Sequence, residues 1–227
     1  MKRAALLLLF ALSVITVPAL ADDIHLLGFT GYDYESPNSV PGTYLAVGEG
    51  YTTLGFLTDF GVYLEPYVNI ALNEYTYRYY DLTVVDQYDD GFFFWAVLSP
   101  GRGRFFEDSK SAGTAAIYGV NPPNATAPPT FIDGTLILGG QITNLELTYD
   151  YIANQGSFIG NIDLDEGTLL GQIPVDQRNG WTLAGLAGPP NPAVPDGYDH
   201  QISGECRIPG PTPASHRTWG ALKALYR

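Results

Sequence analysis

The sequence predicts an all-β fold, an antiparallel two-sheet sandwich of the jelly-roll kind, with a closed β-barrel as the alternative. Three observations carry this. Apolar and polar residues alternate over long stretches, as in Asn144–Tyr151, where Leu145, Leu147, Tyr149 and Tyr151 oppose Glu146, Thr148 and Asp150. Strand-favouring aromatics are frequent, with 16 tyrosines and 11 phenylalanines. The 26 glycines and 17 prolines fall between the alternating runs, as turn residues do. No helical periodicity appears before residue 214.

Taken in order, Ile24–Thr30 reads as the first strand, and Thr43–Val47 and Thr53–Leu57 as short strands around Gly48-Glu49-Gly50. Glu74–Val85 is the clearest long strand, with Tyr75, Tyr77 and Tyr79 on one face and Thr76, Arg78 and Tyr80 on the other. Asp89-Asp90-Gly91 is a turn. The unbroken apolar run Phe92–Leu98, which includes Trp95, predicts a strand buried on both faces. Pro100-Gly101-Arg102-Gly103 turns the chain before a strand from Arg104, and 121–129 (Asn-Pro-Pro-Asn-Ala-Thr-Ala-Pro-Pro) is a stiff loop. Phe131–Ile132, Thr135–Leu138, Asn144–Tyr151, Ser157–Asp165, Trp181–Leu186 and Tyr198–Ile208 complete ten to twelve strands. Asn154-Gln155-Gly156 makes a hairpin turn, and the Pro-rich 188–197 segment a longer loop.

Residues 1–21 have the pattern of a secretory signal peptide. Lys2 and Arg3 precede an apolar run, Ala4–Val17, and small residues at Ala19 and Ala21 mark cleavage after Ala21. The run is too short for the roughly 20 residues of a membrane-spanning helix. The expected mature chain has a single domain over 22–208, a Pro-rich linker over 209–213 and a tail over 214–227. It has no transmembrane segment, and its location is secreted or at the cell surface. The whole chain carries −13; losing Lys2 and Arg3 makes it −15. Such a charge disfavours nucleic acid and anionic lipid as partners and favours solubility. The lone Cys206 permits no internal disulfide. Its strand position, sharing a face with Ile202, Gly204 and Ile208, suits a small buried apolar residue.

The tail differs sharply from the acidic body. Ala214–Arg227 contains His216, Arg217, Lys223 and Arg227 and no acid. Thr218 can cap a short helix carrying Trp219, Leu222, Leu225 and Tyr226. A Pro-rich linker followed by Thr218-Trp219-Gly220-Ala221-Leu222-Lys223-Ala224-Leu225-Tyr226-Arg227 resembles the ending of exported β-rich bacterial proteins, and is similar to surface proteins with C-terminal sorting tags. Phe131–Leu138, Gly180–Leu186 and Gly197–Gln201 carry a looser resemblance in the body. The resemblance implies export and a docking or sorting role for Trp219, Gly220, Lys223, Leu225, Tyr226 and Arg227. Export machinery and a surface or sorting component would be the partners. It implies no chemistry, and the tail lacks the long apolar segment of a membrane-retained tag.

The chain shows no catalytic motif, so it reads as non-enzymatic. There is no Gly-x-Ser-x-Gly elbow, no pair of His or Cys at zinc-ligand spacing, and only His25 and His200 lie in the domain. His200 follows Asp199, and neighbours on a strand point to opposite faces, so the two do not form a dyad. Carboxylate pairs (Asp89-Asp90, Glu107-Asp108, Asp163-x-Asp165-Glu166) could serve a glycosidase only if brought together across a cleft. No cofactor is expected, with calcium the one metal to weigh. Asn161, Asp163 and Asp165 offer oxygens at alternate positions, but without the spacing of an EF-hand, and a solvent-facing strand edge explains them better. Glycan binding is the alternative function. Sugars stack on exposed aromatics, and Tyr75, Tyr77 and Tyr79 form a stripe, though core packing accounts for such a stripe as well.

Overall fold

The computed structural model describes residues 23–36, 45–119, 127–189 and 193–210. The predicted signal peptide and the tail, with the six residues expected to dock (Trp219, Gly220, Lys223, Leu225, Tyr226 and Arg227), lie outside the described residues. Asp23–Ile208 forms one compact unit.

Among the described residues nine antiparallel strands build it: β1 (Ile24–Ser36), β2 (Gly50–Phe60), β3 (Asn73–Asp89), β4 (Phe93–Leu98), β5 (Gly101–Ser109), β6 (Thr135–Asp150), β7 (Gln155–Glu166), β8 (Trp181–Ala187) and β9 (Gln201–Ile208). The sandwich expectation is corrected to the closed barrel. β1 pairs with both β2 and β9, β2 pairs with β3, and β4 and β5 each bridge β3 to β6. Every strand therefore has two neighbours, and the sheet closes on itself without an edge.

β4 and β5 form a single stave. β4 pairs with Val84–Asp89 of β3 and Leu145–Asp150 of β6, while β5 pairs with Asn73–Tyr80 and Thr135–Ile142 of the same two strands. The stave breaks at Pro100, which has no N–H to give a ladder. The Ser99 N–H still bonds Thr83 O at 2.7 Å, and the Thr83 N–H bonds Ser99 Oγ at 3.1 Å. Opposite the break, Asp81 takes a left-handed φ of 59°. Counting this stave once, the ring has eight staves in chain order, an up-and-down meander.

Period-2 patterning decides inside from outside. On β7, Gly156, Phe158, Gly160, Ile162 and Leu164 face in, and Ser157, Asn161, Asp163 and Asp165, with one apolar residue, Ile159, face out. Outward positions on β6 are also polar: Gln141, Glu146, Thr148 and Asp150. A lipid-facing band would be apolar there. Among the described residues no helix is long and apolar enough to cross a membrane. The run Phe92–Leu98 does not fill a strand buried on both faces. Phe94, Ala96 and Leu98 point inward, whereas Phe92 and Phe93 are exposed and Trp95 is half-buried on the outside. The expected strand at Thr43–Val47 is replaced, over residues 45–49, by a turn in which the Glu49 carboxylate accepts the Ala46 N–H at 2.7 Å. Thr135–Leu138 and the expected strand from Asn144 are parts of the one long β6, which ends at Asp150 with Tyr151 in the following turn.

The interior is packed with rings. Phe29 meets Tyr77 at 5.0 Å, Tyr79 at 5.4 Å and Phe158 at 6.0 Å between centroids. One end is closed by residues 61–72 and 167–180, whose Leu64 and Ile173 are buried beside Trp181. The Trp181 indole N–H donates to Gln177 O at 2.6 Å. Outside the barrel, Tyr34 and Leu54 are covered by Phe131 and Tyr198, with Tyr118 packed among them. Thr76 Oγ1 ties this strap to the wall by donating to Phe131 O at 2.8 Å.

Space for the rings comes from glycine. A Cβ on Gly204 would lie 2.6 Å from Ala184 O, 2.8 Å from the Phe158 ring and 2.9 Å from the Phe29 ring. Gly204→Ala is expected to destabilise by about 1–3 kcal/mol through overpacking. Urea unfolding measures it; an unchanged midpoint would show that the rings have room to move.

Candidate ligand site at the barrel mouth

The end opposite Trp181 is where the interior changes character. From Phe29 onward β1 sends Gly31, Asp33 and Glu35 inward, so two carboxylates follow the last ring toward the opening. The segment entering β9 is zipped to the same strand. The Asp33 N–H donates to His200 O at 3.2 Å, and the Asp199 N–H donates to Asp33 O at 3.0 Å. This places Asp199 and His200 beside Asp33 and Glu35 across 167 positions of sequence.

Asp33 is the hub. It is buried, and its Oδ1 accepts the His200 backbone N–H at 2.6 Å. Its Oδ2 accepts the Tyr51 hydroxyl at 3.2 Å and lies 3.2 Å from His200 Nδ1. The His200 ring stacks obliquely on Tyr149, centroids 5.0 Å apart. Burial pulls the His200 pKa down, but Asp33, Asp199 and Glu35 together raise it above the ordinary value.

Glu35 is the odd group. It is 8% exposed, and its Oε2 has no hydrogen-bond partner among the described residues. Burial, then the charges of Asp199, Glu49 and Asp33, push its pKa up to about 8. Asp199 is pushed up to about 6, by burial and by Asp33, although the Glu35 backbone N–H donates to it. A cavity of about 50 Å³ opens beside these groups, with Tyr51, Phe94, Leu147, Tyr149, Phe158 and Ile202 among its walls. A smaller void of about 10 Å³ lies deeper, against Tyr51, Thr53 and Tyr79. The buried Tyr79 hydroxyl has no partner among the described residues either.

The residues singled out from sequence fall elsewhere. Tyr75, Tyr77 and Tyr79 do share one face, but it is the barrel interior, and all three rings are buried. A sugar cannot reach them from solvent. Exposed aromatics lie instead at Tyr67 and, on the β3–β4 hairpin, at Tyr88, Phe92 and Phe93. Asn161, Asp163 and Asp165 lie on the outward face of β7. Asp163 accepts the Gly180 N–H at 2.7 Å, and Asp165 takes both terminal nitrogens of Arg102, at 2.9 and 2.8 Å. Among the described residues no group of three or more His, Cys, Asp or Glu is placed to hold a metal ion. Asp90 caps its turn, accepting the Phe92 and Phe93 N–H groups, and Glu107 accepts the Tyr75 hydroxyl at 2.7 Å. Cys206 is buried on the inner face, where burial pushes its thiol pKa up. His200 pairs with distant Asp33, a relation its neighbour Asp199 obscured. The available signal was the pair Asp33 and Glu35, two acids in register with an inward Phe29.

Comparison with protein-family models, with curated proteins and with solved structures gave no match for this chain.

Glu35 ties stability to pH. Its pKa is about 8 when folded against an ordinary 4.5, so the folded protein holds the proton more tightly. Stability from this group is intact below about pH 4.5, falls between 4.5 and 8, and is fully lost above 8. His200, with its raised pKa, acts in the same sense. Glu35→Gln is expected to raise stability at pH 8 by about 1–3 kcal/mol and to match wild type at pH 4. Thermal unfolding at the two pH values tests this; parallel curves would refute it.

Proposed function

We propose that the protein is an exported, non-enzymatic β-barrel that binds a small ligand at its open end and is positioned outside the cell by its C-terminal tail. The observation that carries the binding reading is the buried carboxylate oxygen of Glu35, unpartnered among the described residues, at an apolar-walled cavity. Holding such a group costs on the order of 1–3 kcal/mol unless a partner relieves it. Ligand sites are concave and mostly apolar, with a few converging polar groups, and barrel mouths commonly house them. The cavity, at about 50 Å³, suits a head group rather than the sugar ring a glycosidase pair must flank.

Ala187 lines the cavity, so Ala187→Phe should fill the opening with a ring. Saturation-transfer NMR with a small-fragment library is expected to show hits on the wild-type chain that disappear in Ala187→Phe, with circular dichroism unchanged. No hits, or hits indifferent to the substitution, would overturn the reading.

For the tail, export by the signal peptide and docking by Trp219–Arg227 predict a separable address. Deleting 209–227 should leave unfolding of the barrel unaltered and shift the protein from the cell-surface fraction to the medium or periplasm. Identical fractionation of both forms would count against docking.

A further inference from the structure

Resting on the reading of the mouth as a ligand site, we propose that its ligand is a small organic cation, a primary ammonium group on a short apolar stem, with Glu35 and Asp199 as its counter-charges. The argument is one of charge and wall. Asp33, Glu35 and Asp199 enter the site with one imidazole between them, and that imidazole is engaged by Asp33. Glu49 adds a further negative charge from the approach to β2, and Tyr51 on β2 and Tyr149 on β6 are the remaining titratable neighbours. No Lys or Arg lines the cavity among its described residues. An anionic ligand would add another charge of the same sign to this cluster. A neutral ligand would leave Glu35 holding a proton against the negative charge of Asp33 and Asp199. An ammonium head offers three N–H donors and one positive charge, and so satisfies Glu35 Oε2 while relieving the repulsion.

The walls make the same selection. Tyr51, Phe94, Tyr149 and Phe158 present aromatic surface, which favours an organic cation through its charge and its methylenes. A hydrated divalent ion needs six or more oxygens. Here the Asp33 oxygens are committed to His200 and Tyr51, and the described residues place no three metal-ligating groups to hold one ion. The volume of about 50 Å³ takes an ammonium with its first carbons.

Binding has a proton signature. At pH 7 Glu35 is largely protonated, given its pKa of about 8. A bound cation stabilises the ionised form, so binding releases a proton, and affinity should rise up to about tenfold per pH unit between 5 and 8.

The test is isothermal titration of the full mature chain at pH 7 with four probes: butylammonium, butanol, butyrate and calcium chloride. The expected result is saturable binding of butylammonium alone. Its observed enthalpy should change between buffers of different ionisation enthalpy, and its affinity should fall at least tenfold in Glu35→Gln. Asp199→Asn provides the same comparison should Glu35→Gln not fold. Butanol or butyrate binding as tightly as butylammonium, or calcium binding alone, overturns the cation assignment and leaves the mouth as a ligand site. So does silence from all four probes while the fragment screen gives hits. Silence in both experiments removes the assignment and the binding reading together.

Discussion

Fold and candidate site both depend on the ladder between β1 and β9. It joins the two ends of the compact unit, pairing Ile24 with Ile208 and Tyr32 with Gln201, and so turns a meander into a ring. Without it the sheet would have two edges and an open interior, and the ring-filled core would face water. The same ladder runs past its last strand pair into the Asp33, Asp199 and His200 bonds. Closure of the barrel and assembly of the mouth are thus one event. A contact of such long sequence separation is costly in chain entropy and is repaid only when the whole ring forms.

The interior sets a second constraint. An eight-stave barrel is just wide enough for side chains to fill it. This one fills its middle with Phe29, Tyr77, Tyr79, Phe105 and Phe158, and makes room with glycines such as Gly204. Filling stops at the mouth, where the inward positions become Asp33 and Glu35. The change from ring to carboxylate along one strand separates a packed core from an accessible cavity.

Much of this was legible in the sequence at the level of faces. Strict alternation in Asn144–Tyr151 and Ser157–Asp165 placed Leu147 and Phe158 correctly against Glu146 and Asp163, and the tyrosine stripe of β3 does lie on one side. Closure was not legible, because a sandwich and an up-and-down barrel share the same period of two, and only pairing register distinguishes them. The direction of a stripe was not fixed by its spacing: Tyr75, Tyr77 and Tyr79 suited core packing better than an outer platform, and the core is where they lie. Continuous apolarity misled at Phe92–Leu98, where the outward aromatics lie at an exposed hairpin rather than under a second layer. The site was the least legible part, since Asp33 and His200 meet only through the closing ladder.

Electrostatics separates the carboxylates that build the molecule from those that burden it. On the outside of β7, Asp165 and Glu166 face Arg102 and Arg104 at 2.5 to 2.9 Å, and the guanidinium groups hold Glu166 below the usual carboxylate range. That network is largely solvated and worth little to stability, yet each charge in it has a partner. At the mouth the situation is reversed. Glu35 and Asp199 are buried beside further negative charge, and both are held above their usual range. The chain has only 11 basic residues to set against 24 acidic ones. Three of them, Arg78, Arg102 and Arg104, stand on the β3–β5 wall, with Arg78 and Arg104 directly paired across the strands. Among the described residues no Lys or Arg lines the cavity at the mouth, so Glu35 is relieved there by holding its proton, as its raised pKa records.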